Sequence, residues 1–304
     1  MDFLLNIVEQ GLIYGILALG VYITYKILDF PDLSVDGTFP LGGAVAAVCL
    51  TSGMNPYLTL PITFLAGMLA GAFTGLVHVK FRVRDLLSGI VTMTALYSVN
   101  LLIAGTNNVP LFSKDTIFKN GALTRLFGEK VPVWFEIALL LAIVLVLKIL
   151  LDLYLRTKSG YLLRAVGDNP ALVTALAKDK GNVKILGLSI ANGLVALSGC
   201  IFAQQARVFD ISSGTGTLVV GLASVIIGLS FFGKFRLMQT TTAVVLGSIF
   251  YKACVAIALR FTGGSTVGTK ATKLITALLF LAILIIGMER KKKVKIHAGT
   301  ETHS

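Results

Sequence analysis

The sequence contains few of the residues from which enzymes build active sites. Only 14% of its 304 residues are charged, and it has three histidines and three cysteines. His78, His297 and His303 are scattered, and neither a His-Glu-x-x-His motif nor a nucleophile elbow occurs. A Walker phosphate-binding motif, an Arg-rich voltage-sensing helix and a potassium filter sequence are also missing. Catalysis within a membrane is therefore poorly supported, and transport remains, with energy from ions or from a partner.

The cysteines do not predict a metal centre. Cys49, Cys200 and Cys254 all lie inside apolar segments and lack the spacing of metal ligands. We interpret them as small core residues and expect no metal site.

Long apolar runs dominate the rest of the sequence. Hydrophobic residues make up 55% of the chain, and the mean hydropathy is +0.85. The runs do not alternate as the strands of a membrane barrel would, so we predict an all-α, polytopic membrane protein with about eight to ten transmembrane segments. The apolar segments are 10–28, 39–52, 56–79, 86–105, 133–154, 185–205, 217–232, 239–259 and 271–288.

The net charge of +12 is explained by the position of the basic residues at the ends of these runs. The positive-inside rule accounts for them better than nucleic-acid binding does, and it places the loop 106–132 outside. We expect one transmembrane domain, 1–289, and a basic cytoplasmic tail, 290–304. No basic residue precedes the first apolar run, so a cleavable signal peptide is not expected. The groups assigned to the cytoplasm are Lys80, Arg82 and Arg84, the stretch 156–184, Lys234 and Arg236, and the C-terminal cluster.

Two polar interruptions resemble each other. Asp32-Leu-Ser34 and Asp210-Ile-Ser212 each follow an apolar segment and lead through a Gly-Thr pair into a short apolar segment. Such matching interruptions in two halves of a chain indicate an internal repeat with broken helices around a transport pathway. The alternative is that Asp32, Asp36 and Asp210 are acids of aqueous loops or helix N-caps outside the hydrocarbon.

Polar residues within the apolar segments complete the candidate pathway, because polar side chains in lipid should face the interior of the bundle. Asn192 and Lys252 are further polar residues of this kind. Alternatively, Thr92 and Thr94 bond to the backbone of their own helix. The alternative for Gln204 and Gln205 is contact with water at the outer end of their span. The candidate pathway residues are Asp32, Ser34, Asp36, Thr94, Tyr97, Asn100, Gln204, Asp210 and Ser212.

A third interruption, 156–184, contains a predicted short helix. Asn169 and Pro170 suit an N-cap and a first helical position, and Gly181 suits a stop, which gives a helix from Pro170 to about Lys178. Leu172, Ala175 and Leu176 then share one face. Such a helix, with basic residues around it, fits either an anionic membrane surface or a groove in another protein.

The run Gln10–Gly20 and the stretch from Gly160 to Pro170, followed by Leu176 and Gly187, resemble the transmembrane permease subunits of ABC importers of the branched-chain amino acid and ribose type. The resemblance covers roughly residues 10 to 288. Branched-chain permeases usually carry an Asn-Phe-Ala-His-Gly type sequence after the first span, where this chain has Phe30-Pro-Asp-Leu-Ser-Val-Asp-Gly37. The pattern is more similar to a subgroup associated with aromatic amino acid uptake in some Gram-positive bacteria.

The resemblance implies a function and a set of partners. The chain would form a dimeric pore, a homodimer or a heterodimer, in a bacterial cell membrane, and receive a small solute, an amino acid, from an extracellular binding protein. ATP and Mg would be bound by separate ATPase subunits, and no cofactor by this chain. A secondary transporter coupled to an ion gradient through Asp32, Asp36 or Asp210 is the alternative. The implied coupling element comprises Gly160, Arg164, Ala165, Gly167, Asp168, Asn169, Pro170, Leu172, Ala175 and Leu176.

Overall fold

The computed structural model describes residues 2–127, 132–169, 179–233 and 238–261, together with 274, 276–281 and 285. Within this part of the chain, 7 helices are long and apolar enough to cross a membrane, and Val35–Thr51 is a shorter apolar helix. The prediction of a polytopic helical membrane protein is therefore confirmed. The predicted segment 271–288 lies largely outside the described residues, and the tail 290–304 lies entirely outside them.

The helices begin where the sequence supplies a cap. Asn55, which directly precedes Pro56, accepts a hydrogen bond from the Tyr57 amide, and Asp179 accepts one from the Gly181 amide. Several helices therefore start close to the predicted apolar segments. The helices are α1 (Asp2–Val21, continued by a π-helical stretch, Tyr22–Ile27), α2 (Val35–Thr51), α3 (Pro56–Lys80), α4 (Asp85–Ala104), α5 (Gly121–Phe127), α6 (Val133–Leu155), α7 (Lys158–Asp168), α8 (Lys180–Ala206), α9 (Thr217–Ile227, continued by a π-helical stretch, Gly228–Phe232) and α10 (Thr240–Phe261).

A short pair of strands accompanies the helices. Strand β1 (Asn108–Pro110) pairs antiparallel with β2 (Val208–Asp210), so that Val109 lies opposite Phe209. Phe209 and the neighbouring Leu111 are buried against α2. This pair was not predicted, because three-residue strands carry too little periodicity to be recognised.

The bundle has two distinct ends. At the basic end, the Lys184 ammonium lies 3.1 Å from Nε2 of His78, near the end of α3, and the Thr241 hydroxyl of α10 donates to Asp152 of α6. The basic clusters that flank α3, α4, α7 and α8 meet at this end. Helix α8 then runs to the opposite end, where β2 follows it directly. This second end is called the strand end below.

Helices α1, α2 and α8 form the centre, and glycines allow α3 to approach α8 closely. A Cβ atom at Gly67 would lie 2.4 Å from the Asn192 carbonyl oxygen, and one at Gly71 would lie 2.2 Å from that of Leu188. Gly67 and Gly71 therefore act as packing residues at the contact between α3 and α8.

Helix α7 was not predicted. The predicted helix starts only at Pro170 and lies outside the described residues, whereas α7 occupies the stretch immediately before it. The Thr157 hydroxyl caps α7 by accepting from the Gly160 amide. Leu163 and Val166, at helical spacing, are buried under it. These apolar positions were the available signal.

Candidate functional site: a polar junction between two interrupted helices

The first interruption lies inside the bundle rather than in an aqueous loop. After Ile27 the chain leaves the helix and returns to helix at Val35. Between these points Asp32, only 1% exposed, accepts hydrogen bonds from the Ser34 amide at 2.9 Å and from the Asn192 side-chain amide at 2.8 Å. Asn192 stands near the middle of α8, so this polar cluster lies within the bundle.

Asn192 is held by several bonds at once. Its side-chain nitrogen also donates to the Leu188 carbonyl, and its side-chain oxygen accepts from the Ser34 hydroxyl at 3.2 Å. A buried polar group is stable only when its donors and acceptors are matched, as they are here. From the sequence, Asn192 was predicted only as a polar residue within a span, and not as the partner of Asp32.

Asp36 joins the first interrupted helix to the second. It lies in the first turn of α2, but its carboxylate accepts from the Gly216 and Leu218 amides at 3.0 and 2.8 Å and from the Thr217 hydroxyl at 3.0 Å. A carboxylate at a helix N-terminus gains both from charge-assisted hydrogen bonds and from the helix dipole. Asp36 therefore caps a helix, and the helix that it caps is α9.

The second interruption repeats the local geometry of the first. Asp210 accepts from the Ser212 amide at 2.8 Å, just as Asp32 accepts from the Ser34 amide. Each aspartate thus forms the same turn with the serine two residues later, and each turn precedes a helix. The predicted correspondence between the two interruptions is confirmed at this level. Asp210, however, is half-buried and Ser212 is exposed.

Glycine makes the second interruption possible. Gly216 has a φ of +85°, a conformation that favours glycine, directly before α9. A Cβ atom at Gly214 would lie 2.1 Å from the Asp36 carbonyl oxygen. The segment before α9 is therefore pressed against the beginning of α2.

The candidate pathway residues of α4 divide between two faces. Asn100 is buried and donates to the Gly37 carbonyl at 3.0 Å. Thr94 and Tyr97 are exposed, so the expectation that they face the interior of the bundle is wrong for this chain alone. The buried stripe of α4 runs through Thr92 and Asn100, which leaves Thr94 and Tyr97 on another side. The Thr94 hydroxyl donates to the Ile90 carbonyl of its own helix, as its alternative interpretation had it.

Gln204 is fully buried and does not contact water at the end of the bundle. Its side-chain oxygen accepts from the Ile117 amide at 3.0 Å, and its side-chain nitrogen donates to the Thr59 hydroxyl at 2.9 Å. It therefore attaches the loop after β1 to α3 and α8. Gln205, which is only half-buried, pairs with Gln10 instead.

The predicted coupling residues of α7 lie at the basic end. Arg164 and Asp168 are exposed. On the packed side, a Cβ atom at Gly167 would lie 1.9 Å from the Ile27 carbonyl oxygen, so α7 rests directly on the end of the π-helical stretch after α1. Gly160 packs on Leu155, whose Cα atom would lie 2.5 Å from a Cβ atom at this position. Ala165 is half-buried and Asn169 exposed, whereas Pro170, Leu172, Ala175 and Leu176 lie outside the described residues.

Helices of membrane length arranged around two interrupted segments, with polar groups meeting inside the bundle, define a solute permease. The chain belongs to a family of such proteins, the branched-chain amino acid transport system / permease component family, which matches residues 3–287. In the described residues, no group of three or more His, Cys, Asp or Glu side chains could hold a metal ion.

Relatives agree with this assignment, and a solved structure has a similar fold. The chain is 45% identical to a tyrosine transport system permease protein of Clostridioides difficile over 287 residues, covering 94% of this chain and 92% of the relative. It is 28% identical over 251 residues to the ribose import permease protein RbsC of Escherichia coli, covering 80% and 75%. In fold it is similar to a metal-chelate type ABC transporter in an inward-facing conformation, with a TM-score of 0.53, 17% identity and coverage of 92% and 84%.

Proposed function

We propose that the chain is the pore-forming subunit of an ATP-driven importer of an amino acid, with aromatic amino acids as the first candidates. The similarity to a tyrosine transport permease along 94% of the chain is the observation that carries this proposal. The chain is a permease subunit and not an enzyme. ATP and Mg would bind to a separate ATPase subunit, and this chain would need no cofactor of its own.

The exposed side of α7 is the described part of the docking element for that ATPase. Arg164 and Asp168 project from the basic end, and Gly167 keeps α7 in contact with Ile27. Ile27 and Leu28 lead directly into the interruption that contains Asp32 and Asp36. A displacement of α7 would therefore be transmitted to the polar junction through the close contact with Ile27 and the short segment that follows it.

The solute would pass along an exposed polar face that the chain shares with a second permease, either a copy of itself or a related subunit. Thr94, Tyr97 and Ser98 are exposed on a helix that is otherwise apolar enough to span a membrane. Helix α4 also contacts Ile211–Gly214, a stretch that contains the exposed Ser212. Polar side chains of this kind are more stable against water or a protein partner than against lipid.

The basic end would face the cytoplasm of a bacterial cell, with the C-terminus on the same side, and the strand end would face an extracellular solute-binding protein. The basic groups at the ends of α3 and α6 and around α7 support this orientation in a bacterial inner membrane.

The coupling assignment can be tested by the association of the ATPase. Leu176→Glu and Pro170→Glu should abolish co-purification of the ATPase subunit, while the chain stays inserted in the membrane. Lys119→Glu, a change at an exposed residue of the strand end, is the matched control and should leave association intact. Unchanged association in both coupling variants would refute the assignment, and robust ATP hydrolysis by the purified chain alone would refute a separate motor.

A secondary transporter remains the second candidate, because three aspartates lie at the two interruptions. Asp32 and Asp36 are occupied by two and three hydrogen bonds, which favours structural roles for them. Proteoliposomes that contain only this chain should show no uptake under an ion gradient. Uptake that Asp210→Asn abolishes would support the secondary transporter instead.

A further inference from the structure

A cavity at the strand end has no part in the polar junction. Its volume is about 740 Å³, within the usual range of roughly 300 to 1,000 Å³ for small-molecule sites. Three segments surround it: the turn between α2 and α3, the residues after β1, and the beginning of α5. The lining residues used below are Leu50, Met54, Tyr57, Lys114, Asp115 and Arg125.

The cavity has hydrogen-bond donors to spare. The Lys114 ammonium donates to the Thr51 carbonyl at 3.1 Å, which leaves two of its three N–H groups for a ligand. The Tyr57 hydroxyl oxygen accepts from the Asn120 side chain at 3.2 Å, so its own hydrogen is free to be donated. Arg125 is exposed and forms no ion pair with any described residue. Several donors that line one cavity fit a carboxylate.

The remaining lining fits the other parts of an amino acid. Asp115 supplies a carboxylate opposite in sign to Lys114 and Arg125, and it too forms no ion pair among the described residues. Leu50 and Met54 contribute an apolar wall. Groups of both charges beside an apolar wall match a zwitterion that carries an apolar or aromatic side chain.

We propose that this cavity binds a free α-amino acid at the outer mouth of the permease, with its carboxylate at Lys114 and Arg125 and its ammonium group at Asp115. The proposal rests on the proposed function and names a second place where the solute is held, apart from the pathway. A free amino acid fits better than an acidic loop of a partner protein, because the site is concave and offers both signs of charge.

The test uses the purified full-length chain in nanodiscs and calorimetric titration with three probes. L-tyrosine carries both charges, tyramine lacks the carboxylate, and 3-(4-hydroxyphenyl)propionate lacks the amine. L-tyrosine should bind more tightly than either analogue. Arg125→Gln, a change at an exposed side chain, should weaken L-tyrosine binding about 10-fold or more, as the loss of a charged hydrogen bond does. Lys114→Gln should have a similar effect.

Asp115→Asn separates the two ends of the ligand. It should weaken the binding of L-tyrosine but not that of 3-(4-hydroxyphenyl)propionate, which has no ammonium group and is repelled by the Asp115 carboxylate. Lys119→Gln is the matched control, since Lys119 is a nearby exposed cation that does not line the cavity, and it should change neither affinity.

Three outcomes would overturn the inference: no L-tyrosine binding to the unaltered chain, equal affinity in Arg125→Gln, or binding only of an acidic partner protein that the same variants abolish. ATP-driven uptake by the complex with its ATPase and binding protein is measured in parallel. If the unaltered complex takes up amino acid but the cavity binds none, only the inference about the cavity is refuted. If the complex shows no ATP-driven amino acid uptake, the proposed function is refuted.

Discussion

The two interruptions share a turn but differ in what surrounds it. Asp32 lies against α4 and α8 and is bonded to Asn192, whereas the Asp210 carboxylate bonds, among the described residues, only within its own turn, to the amide and the hydroxyl of Ser212. The first turn is therefore part of the core and the second part of the surface. Matching sequence motifs can specify the same local conformation while their roles diverge with burial.

The comparison also shows that the junction is asymmetric. Asp36, from the first half, caps α9 of the second half, and none of the described hydrogen bonds of Asp210 reaches α2 in return. The first half thus holds the second in place. Substitutions in the first half should consequently have larger effects on stability than the equivalent changes in the second.

The largest effect is expected for Asp32→Ala. The change leaves the Ser34 amide and the Asn192 side chain without an acceptor in the interior, at a cost of about 3 kcal/mol or more in the free energy of unfolding. Asp210→Ala, at a half-buried site, should cost less than about 1 kcal/mol. Thermal unfolding of both variants in detergent, followed by scanning fluorimetry, measures the contrast. The exchange Asp32→Asn with Asn192→Asp should recover part of the loss, and equal losses in the two alanine variants would contradict the distinction.

Asp36→Ala should be the next most harmful change. It removes the acceptor of two amides and one hydroxyl at the start of α9, which should lower the free energy of unfolding by about 2 to 3 kcal/mol and abolish uptake. Hydrogen exchange of the amides of Gly216 and Leu218 should increase in the variant. Asp36→Asn keeps one acceptor oxygen and should be intermediate, and unchanged exchange in Asp36→Ala would refute the cap.

Gln204→Leu tests whether the strand end is held from within. The change removes the acceptor of the Ile117 amide, so hydrogen exchange of the loop after β1 should increase, with a loss of about 1 to 3 kcal/mol in the free energy of unfolding. Gln205→Leu is the neighbouring control and should have a smaller effect, because Gln205 is only half-buried. Equal protection of the loop from hydrogen exchange in both variants would contradict its attachment through Gln204.

The smallest effects are expected at the two serines of the turns. Ser34→Ala removes the bond to the Asn192 side-chain oxygen and should cost about 1 kcal/mol, whereas Ser212→Ala should stay within about 0.5 kcal/mol, since Ser212 is exposed. Thermal unfolding of the pair in parallel resolves the difference. A larger loss in Ser212→Ala would reverse the assignment of core and surface.

Much of this architecture could be predicted from local sequence. The apolar runs predicted the long helices, and the repeated Asp-x-Ser spacing predicted equivalent interruptions, because both signals depend on residues close together in the chain. The link from Asp36 to α9 spans about 180 residues of sequence and leaves no local pattern. The exposure of Thr94 and Tyr97 could not be predicted either. The rule that polar groups face away from lipid does not say whether they face the core of one chain or an interface with a second chain.

The π-helical stretches that continue α1 and α9 have a consequence of their own. In each, an amide bonds to the carbonyl five residues before it, as Leu28 does to Ile23 and Gly233 to Gly228. One additional residue in a turn rotates the following side chains by about 100° relative to an uninterrupted helix. In both helices, the direction of the side chains at the basic end is therefore set independently of their direction in the middle of the helix. The side chains that meet α7 can thus point in a different direction from those that line the core.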